Sequence, residues 1–372
     1  MSKSIVICCD GTCNDATSDV TNVLRVFRSL RRDAEQIAYY DGGVGTLVDP
    51  TTITCFQKFV RRKIDMAIGY SLRENFCKAY RFLARHYEPG DRIYLFGFSR
   101  GAYLVRALAG AIHRQGLVRA ELESLTEYAW AAYSNEMSDL DERAKFRADA
   151  RFAKYFSVDY DVRIHFLGVF DTVSSFGWIW NYRTLPNTAH NPTVKHVRHA
   201  IAIDERRACF GANLFRPKTP EQHDSFREVW FPGVHADVGG GYPEEQSGLA
   251  KISLQWMLHE AEAQGLRLDK DTAADLLGAR KHQCAPDPSA PLHNSLTGFW
   301  RAIECLPRRC WTVPPGAMRW RGPHGGRQRV VPPDYPLCVH QSAIDRKNAL
   351  PGTYKPGLLE RPLTIHPWIR WP

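Results

Sequence analysis

Short, continuous apolar runs alternate with segments of helical periodicity over the first 245 residues of this 372-residue chain. The strand-like runs lie at residues 4–9, 36–40, 92–96, 163–170, 199–203 and 227–234. A strand that is apolar at successive positions, and not only at every second one, is typical of a parallel sheet covered on both faces. The alternation therefore predicts an α/β fold, with a mostly parallel, doubly wound sheet and helices on both of its faces.

The pattern changes near residue 281, where proline and glycine become dense and helical periodicity ends. We expect an α/β core over residues 1–280, with a charged, alanine-rich helical insertion near 120–156. Residues 281–372 are expected to form an irregular extension packed on this core. A chain of this length can bury a large core unaided, so one core with a dependent extension is the simplest organisation.

Positive charge is concentrated in the last 77 residues, which contain twelve lysines and arginines against four acidic residues. This part of the chain therefore holds most of the net charge of +9, together with Trp300, Trp311, Trp320, Trp368 and Trp371. Basic residues interleaved with tryptophan can bind anionic lipid head groups, which would give the protein a peripheral membrane contact. The alternative is a proline-rich wrapping segment with solvated charges. No nucleic-acid partner is expected.

The N-terminus runs directly into an apolar strand without the pattern of a signal peptide. No apolar stretch approaches the roughly 18 residues that a transmembrane helix requires. We therefore expect cytoplasmic synthesis and no use of the general secretory route. The ten cysteines form no CxxC pair, and the glycines at 42, 43 and 45 lack GxGxxG spacing. Accordingly, neither a metal nor a cofactor is expected.

The sequence Gly97-Phe98-Ser99-Arg100-Gly101 directly follows one strand-like run and directly precedes the helical stretch 102–114. This is the nucleophile-elbow pattern in the strand–turn–helix context that it requires. A serine at the tip of so sharp a turn has a strained backbone, and the flanking positions must be small to avoid collision. The pattern predicts Ser99 as a catalytic nucleophile and refines the fold to the α/β-hydrolase type.

A serine nucleophile needs a base, and His235 is the candidate among the fourteen histidines. It follows the strand-like run 227–234 and enters the glycine-rich segment 236–242. In α/β-hydrolases the histidine follows the last strand, in the chain order Ser, Asp, His. A structural or metal-binding role for His235, with Asp237 as a co-ligand, is the alternative.

Two aspartates could orient the histidine. Asp171 ends the most apolar strand, and a carboxylate at the carboxyl end of a strand in an open sheet faces the active-site crevice. Asp204 follows the run 199–203 and has Arg206 and Arg207 beside it, which favours a structural ion pair. We favour Asp171, while Asp204 stays open.

The oxyanion hole is expected to take one backbone N–H from the residue after the nucleophile, which is Arg100. The second donor normally comes from the loop after an early strand. That place is occupied here by residues 10–14, with Gly11 or Thr12 as the donor.

Five segments in this order resemble one α/β-hydrolase family, which includes the first group of type VI secretion phospholipase effectors. They are Cys9-Asp10-Gly11-Thr12, Gly97-Phe98-Ser99-Arg100-Gly101-Ala102, Phe170-Asp171-Thr172-Val173, Ile203-Asp204-Glu205-Arg206 and Val234-His235-Ala236-Asp237-Val238-Gly239-Gly240-Gly241-Tyr242.

The resemblance implies a serine esterase or lipase acting on phospholipid acyl esters, with Ser99, His235 and an aspartate as its triad. It also implies export by a type VI-like system, with a secretion-machine or immunity protein as partner. An esterase acting on a soluble small ester and a non-catalytic lipid-binding module remain alternatives.

Overall fold

The computed structural model describes residues 2–11, 20–43, 64–134, 142–159, 161–173, 185–215, 226–280, 282–305, 308–311, 318–329 and 331–369. Within these residues the strands are β1 Ser4–Cys9, β2 Gln36–Asp41, β3 Arg92–Phe98, β4 Ile164–Phe170, β5 Val194–Ala202, β6 Phe226–Phe231, β7 Arg308–Trp311, β8 Met318–Arg321, β9 Cys338–His340 and β10 Thr364–His366. The α-helices are α1 Asn22–Ser29, α2 Ile64–His86, α3 Arg100–Gln115, α4 Thr126–Tyr133, α5 Glu142–Phe156, α6 His235–Gly239, α7 Gly248–Glu262, α8 Lys270–Ala274, α9 Phe299–Glu304 and α10 Gln341–Ala349.

Eight of these strands form one sheet in the order β10-β9-β6-β5-β4-β3-β1-β2, and every neighbouring pair is parallel. The remaining two, β7 and β8, form a separate antiparallel hairpin. The predicted α/β-hydrolase-like fold class, with its mostly parallel, doubly wound sheet, is thus confirmed.

Alternate residues of β1 pack against helices on opposite faces of the sheet. Ile5 and Ile7 belong to a buried cluster that includes residues of α2 and α3. Val6 and Cys8 belong to a second cluster, built with α1 and α7. Because both faces are covered, the strand must be apolar at successive positions, which is the reason for the run seen in the sequence.

The strand order reverses between β1 and β3. From β1 the chain adds β2 on one side, whereas β3, β4, β5 and β6 follow one another on the other side. In an open α/β sheet, ligands bind in the crevice outside the carboxyl ends of the strands, at the point where the order reverses. The carboxyl end of β3 is the Phe98–Ser99 junction, so the topology places Ser99 at the crevice where a ligand is expected to bind.

The C-terminal part is more regular than the sequence analysis predicted. The strands β9 and β10 extend the sheet beyond β6, and helix α10 follows β9 directly. Each strand has only three residues, which is too short for any periodicity to be recognised. The extension that we expected to be irregular thus also contains short regular elements, and the division at residue 280 stays a prediction.

The region of the predicted insertion is helical where the structure describes it. A 3₁₀ helix at Ala120–Leu125 leads into α4, and α5 follows. Trp130 and Tyr133 of α4 are fully buried beside Phe76 of α2. Within the described residues, none of the helices combines the length and apolar character needed to cross a membrane.

Candidate active site

Ser99 stands at the tip of a sharp turn between β3 and α3. Its backbone has φ 56° and ψ −117°, a conformation that costs a non-glycine residue of the order of 1–3 kcal/mol and occurs mainly at functional sites. The N–H of Ser99 donates to the carbonyl of Phe170 at 3.1 Å. This bond fixes the turn to the end of β4, where Asp171 follows.

The two glycines of the turn are required by close backbone contacts. A Cβ on Gly97 would lie 2.6 Å from the Cα of Ala102, and one on Gly101 would lie 2.1 Å from the carbonyl oxygen of Cys9. Neither space admits a methyl group. Helix α3 therefore starts directly against the end of β1, which holds Ser99 in the crevice.

His235 begins the short helix α6, and its side chain is buried against Asp171. The distance from His235 Nδ1 to Asp171 Oδ2 is 2.5 Å. Burial lowers the pKa of His235, and the contact with Asp171 only partly opposes that effect. The imidazole is therefore neutral near pH 7. Because an ionised carboxylate can only accept, Nδ1 carries the hydrogen and Nε2 keeps a free lone pair, as a general base requires.

Asp204, the other candidate acid, has different partners. Its Oδ2 accepts from the N–H of Gly233 at 2.7 Å and from the hydroxyl of Tyr354 at 2.9 Å. Burial raises the pKa of this carboxyl to about 6. Of the two aspartates, the structure thus brings Asp171 and not Asp204 to the imidazole of His235.

The expectation of an ion pair between Asp204 and its neighbouring arginines was wrong. Arg207 pairs instead with Glu205, and Arg206 donates to the carbonyl of Gly326. Residues 205–207 belong to neither a helix nor a strand, so no regular periodicity brings Arg206 or Arg207 to the side chain of Asp204.

Asp171 has a basic partner that is distant in sequence. Arg329 contacts both carboxylate oxygens, with Nη1 2.6 Å from Oδ1 and Nη2 2.8 Å from Oδ2. Burial alone would raise the pKa of Asp171, but Arg329 and His235 hold it well below its ordinary value. Arg329 is 158 residues away in sequence, and its only signal was the excess of arginine in the C-terminal segment.

Glu205 is a second residue that the sequence analysis did not single out. It is fully buried, and its Oε2 accepts the backbone N–H of His235 at 3.1 Å. Burial opposes ionisation, but the hydrogen bonds and charge of Arg207 lower the pKa of Glu205 to about 2. The carboxylate therefore anchors the start of α6, and with it the backbone of His235.

Two aromatic rings contact the imidazole of His235. The ring centroids of Phe98 and Phe210 lie 4.6 and 4.8 Å from that of His235. Trp300 lies 5.4 Å beyond Phe210, and the guanidinium of Arg207 lies 3.6 Å over the Phe210 ring. The histidine thus lies beside an apolar wall, a suitable surface for a hydrocarbon chain.

Of the expected oxyanion donors, Arg100 is at a helix start that suits the role, whereas the N–H of Gly11 already has an acceptor. Arg100 is the first residue of α3, at the end of the helix where backbone N–H groups point outward and the dipole is positive. The N–H of Gly11 donates to Asp10 Oδ1 at 2.7 Å, so this group is engaged with the carboxylate. Thr12 lies outside the described residues, and the second donor stays a prediction.

Asp237, considered as a co-ligand of a metal with His235, has other contacts. Its Oδ2 accepts the N–H of Val234 at 3.0 Å, and its Oδ1 lies 2.6 Å from His293 Nδ1. Across the described part of the chain, no three or more histidine, cysteine or acidic side chains are grouped as a metal ion would need.

The chain is similar to a known protein family. Residues 3–260 match the family described as T6SS, Phospholipase effector Tle1-like, catalytic domain. Uncharacterized protein YEL023C of Saccharomyces cerevisiae is 38% identical over 225 residues, which are 58% of this chain and 33% of that protein. The chain therefore spans about a third of the length of this relative.

Two solved structures are more distant. An uncharacterized protein from Pseudomonas aeruginosa aligns with a TM-score of 0.41 and 22% identity, over 72% of this chain and 46% of that one. The Tle1 effector bound to the VgrG spike from the type 6 secretion system aligns with a TM-score of 0.41 and 21% identity, over 67% and 53%. The family match covers well over half of the chain, and by that match the chain belongs to the family of Tle1-like phospholipase effector catalytic domains.

Proposed function

We propose that this chain is a serine hydrolase that cleaves carboxylic acyl esters through Ser99, His235 and Asp171, with phospholipids as its substrate class. The observation that carries the proposal is the 2.5 Å contact of His235 with Asp171. Ser99 is held at positive φ, and its N–H donates to the carbonyl of Phe170, the residue before Asp171. The neutral imidazole and the helix start at Arg100 supply the two further groups that acyl transfer requires.

The reaction follows from these groups. Ser99 Oγ attacks the ester carbonyl while His235 Nε2 takes its proton, and Asp171 stabilises the resulting imidazolium. Negative charge develops on the carbonyl oxygen and is met by the N–H of Arg100 at the positive end of α3. The imidazolium then protonates the leaving alcohol, and water releases the acyl group by the same steps in reverse order.

Phospholipid as the substrate rests on the family to which the chain belongs. The apolar wall of Phe98 and Phe210 beside His235 suits an acyl chain. Export by a type VI system, with a spike protein as carrier or an immunity protein as inhibitor, is proposed because the family is one of type VI secretion phospholipase effectors.

A fluorophosphonate probe tests the proposed function directly, because it reacts with activated serines. We expect it to label the parent protein and not the Ser99→Ala variant. The parent should also release fatty acid from phospholipid vesicles in the presence of a chelator. Hydrolysis of p-nitrophenyl esters without any release from vesicles would favour a soluble small ester. A folded parent that neither reacts with the probe nor hydrolyses any ester would leave the lipid-binding module as the better reading.

The basic C-terminal segment gives a separate prediction about the membrane. The hairpin of β7 and β8 contains four arginines and two tryptophans in eight strand residues. If this segment contacts anionic lipid, binding to phosphatidylglycerol vesicles should weaken steeply between about 0.05 and 0.3 M salt, since exposed charges are screened. Sedimentation with vesicles measures this, and phosphatidylcholine vesicles are the control. Binding that does not change with salt would support the wrapping-segment alternative.

A further inference from the structure

All the nitrogen atoms of the Arg329 guanidinium donate hydrogen bonds to groups around Asp171. Nη1 donates to Asp171 Oδ1 and to the carbonyl of Ala202, Nη2 donates to Asp171 Oδ2 and to the carbonyl of Phe210, and Nε donates to Phe210 as well. A guanidinium has five N–H donors, so all five have acceptors here. The side chain is buried, with 6% of its surface exposed, and its orientation is fixed.

The carboxylate of Asp171 is equally saturated. Oδ1 accepts from Arg329 and from the N–H of Ala202 at 2.9 Å, and Oδ2 accepts from Arg329 and from His235 Nδ1. A carboxylate offers about four lone-pair positions. Arg329 and Ala202 occupy three of them, so the fourth, on Oδ2, is left for the imidazole. This arrangement fixes where Nδ1 must lie.

Charges around His235 come from several elements. Asp171 follows β4, Glu205 and Arg207 follow β5, and Arg329 comes from the C-terminal segment, whereas the neighbouring rings of Phe98 and Phe210 are uncharged. Arg207 is paired with Glu205, and Arg329 is the cation in direct contact with Asp171 among the described ion pairs.

We propose that Arg329 is a positioning residue for the Ser99–His235–Asp171 site: it holds the Asp171 carboxylate at His235 Nδ1 and limits how strongly that carboxylate attracts the imidazole proton. This inference rests on the proposed hydrolase function, which it extends to a residue outside the family match at 3–260. A fixed carboxylate keeps the imidazole in one orientation. A partly neutralised carboxylate leaves the imidazole unprotonated, and so active as a base, at lower pH.

Two variants separate position from charge. Arg329→Met removes both, and we expect the acid limb of the kcat/KM profile to move to higher pH by about one unit, because Asp171 then stabilises the imidazolium without competition. Arg329→Lys keeps the charge but loses the two-point contact, so we expect an unmoved acid limb with kcat lowered on the order of 10²-fold. Arg206→Met is the matched control, since Arg206 contacts the Gly326 carbonyl and not Asp171; its profile should match that of the parent.

A titration without catalysis keeps this inference separate from the hydrolase proposal. NMR of ¹⁵N-labelled histidine in the Ser99→Ala protein, with His235→Gln to assign the signal, gives the pKa of His235 with and without Arg329. We expect a higher pKa in Arg329→Met, whether or not any ester is hydrolysed. An unchanged pKa in that variant, or parental kcat in a folded Arg329→Lys protein, would overturn the proposal. If Arg329→Met does not fold, the kcat of Arg329→Lys alone tests the positioning role. If the parent is inactive on every ester, the hydrolase function is refuted, and the titration of His235 alone tests the role of Arg329.

Discussion

Replacing Ser99 by alanine is expected to lower kcat for ester hydrolysis by about 10⁴-fold or more, with little change in the free energy of unfolding. The variant removes only the hydroxyl oxygen that attacks the carbonyl. Alanine has the same Cβ as serine at φ 56°, so the strain of the turn is unchanged. The glycines at 97 and 101, which the turn requires, also remain.

Initial rates on a p-nitrophenyl ester and urea unfolding of both proteins measure the two quantities. Ser29→Ala is a suitable control, because that buried hydroxyl donates to the Val26 carbonyl within α1 and lies outside the proposed site. It should keep the parental rate. A Ser99→Ala protein with activity within about tenfold of the parent would show that another group is the nucleophile.

Replacing Asp171 by asparagine is expected to cost about 10⁴-fold in kcat, because the amide neither holds the required tautomer of His235 nor stabilises the imidazolium. The structure adds a second effect. Arg329 would lose the carboxylate that neutralises it inside the protein, and breaking such a buried pair costs about 3–5 kcal/mol of stability. The rate must therefore be expressed per folded molecule, with the folded fraction taken from urea unfolding at the assay temperature.

Asp204→Asn is the matched control, since it makes the same chemical change at the other candidate. The amide oxygen of asparagine can still accept from Gly233 and Tyr354, the two partners of Asp204 Oδ2. We expect kcat to stay within about tenfold of the parent. An equal loss in both variants would mean that the contact of Asp171 with His235 does not explain catalysis.

Much of the fold could be predicted because its signals are local. The apolar strands are recognisable in the sequence since both faces of the sheet are covered, and the glycines around Ser99 identify the turn because no other residue fits there. The family resemblance rested on five short segments, one of which contains this turn, and is confirmed by the match over residues 3–260. The three-residue strands β9 and β10 could not be predicted, since they join the sheet through pairing with distant strands and not through a pattern of their own.

The sequence by itself determined the α/β class, the serine turn after β3 and the order in which the candidate residues follow one another. Only the tertiary structure decided which aspartate meets His235, because that contact joins residues 64 positions apart. The same holds for Arg329, which reaches Asp171 across 158 positions, and for Glu205, which binds the backbone of His235. The spacing of residues in a short segment predicts the local geometry of that segment, such as the turn at Ser99. The partner of a buried charge depends on how the whole sheet packs, because that packing brings distant residues together. Burying a charge without a partner would cost several kcal/mol of stability.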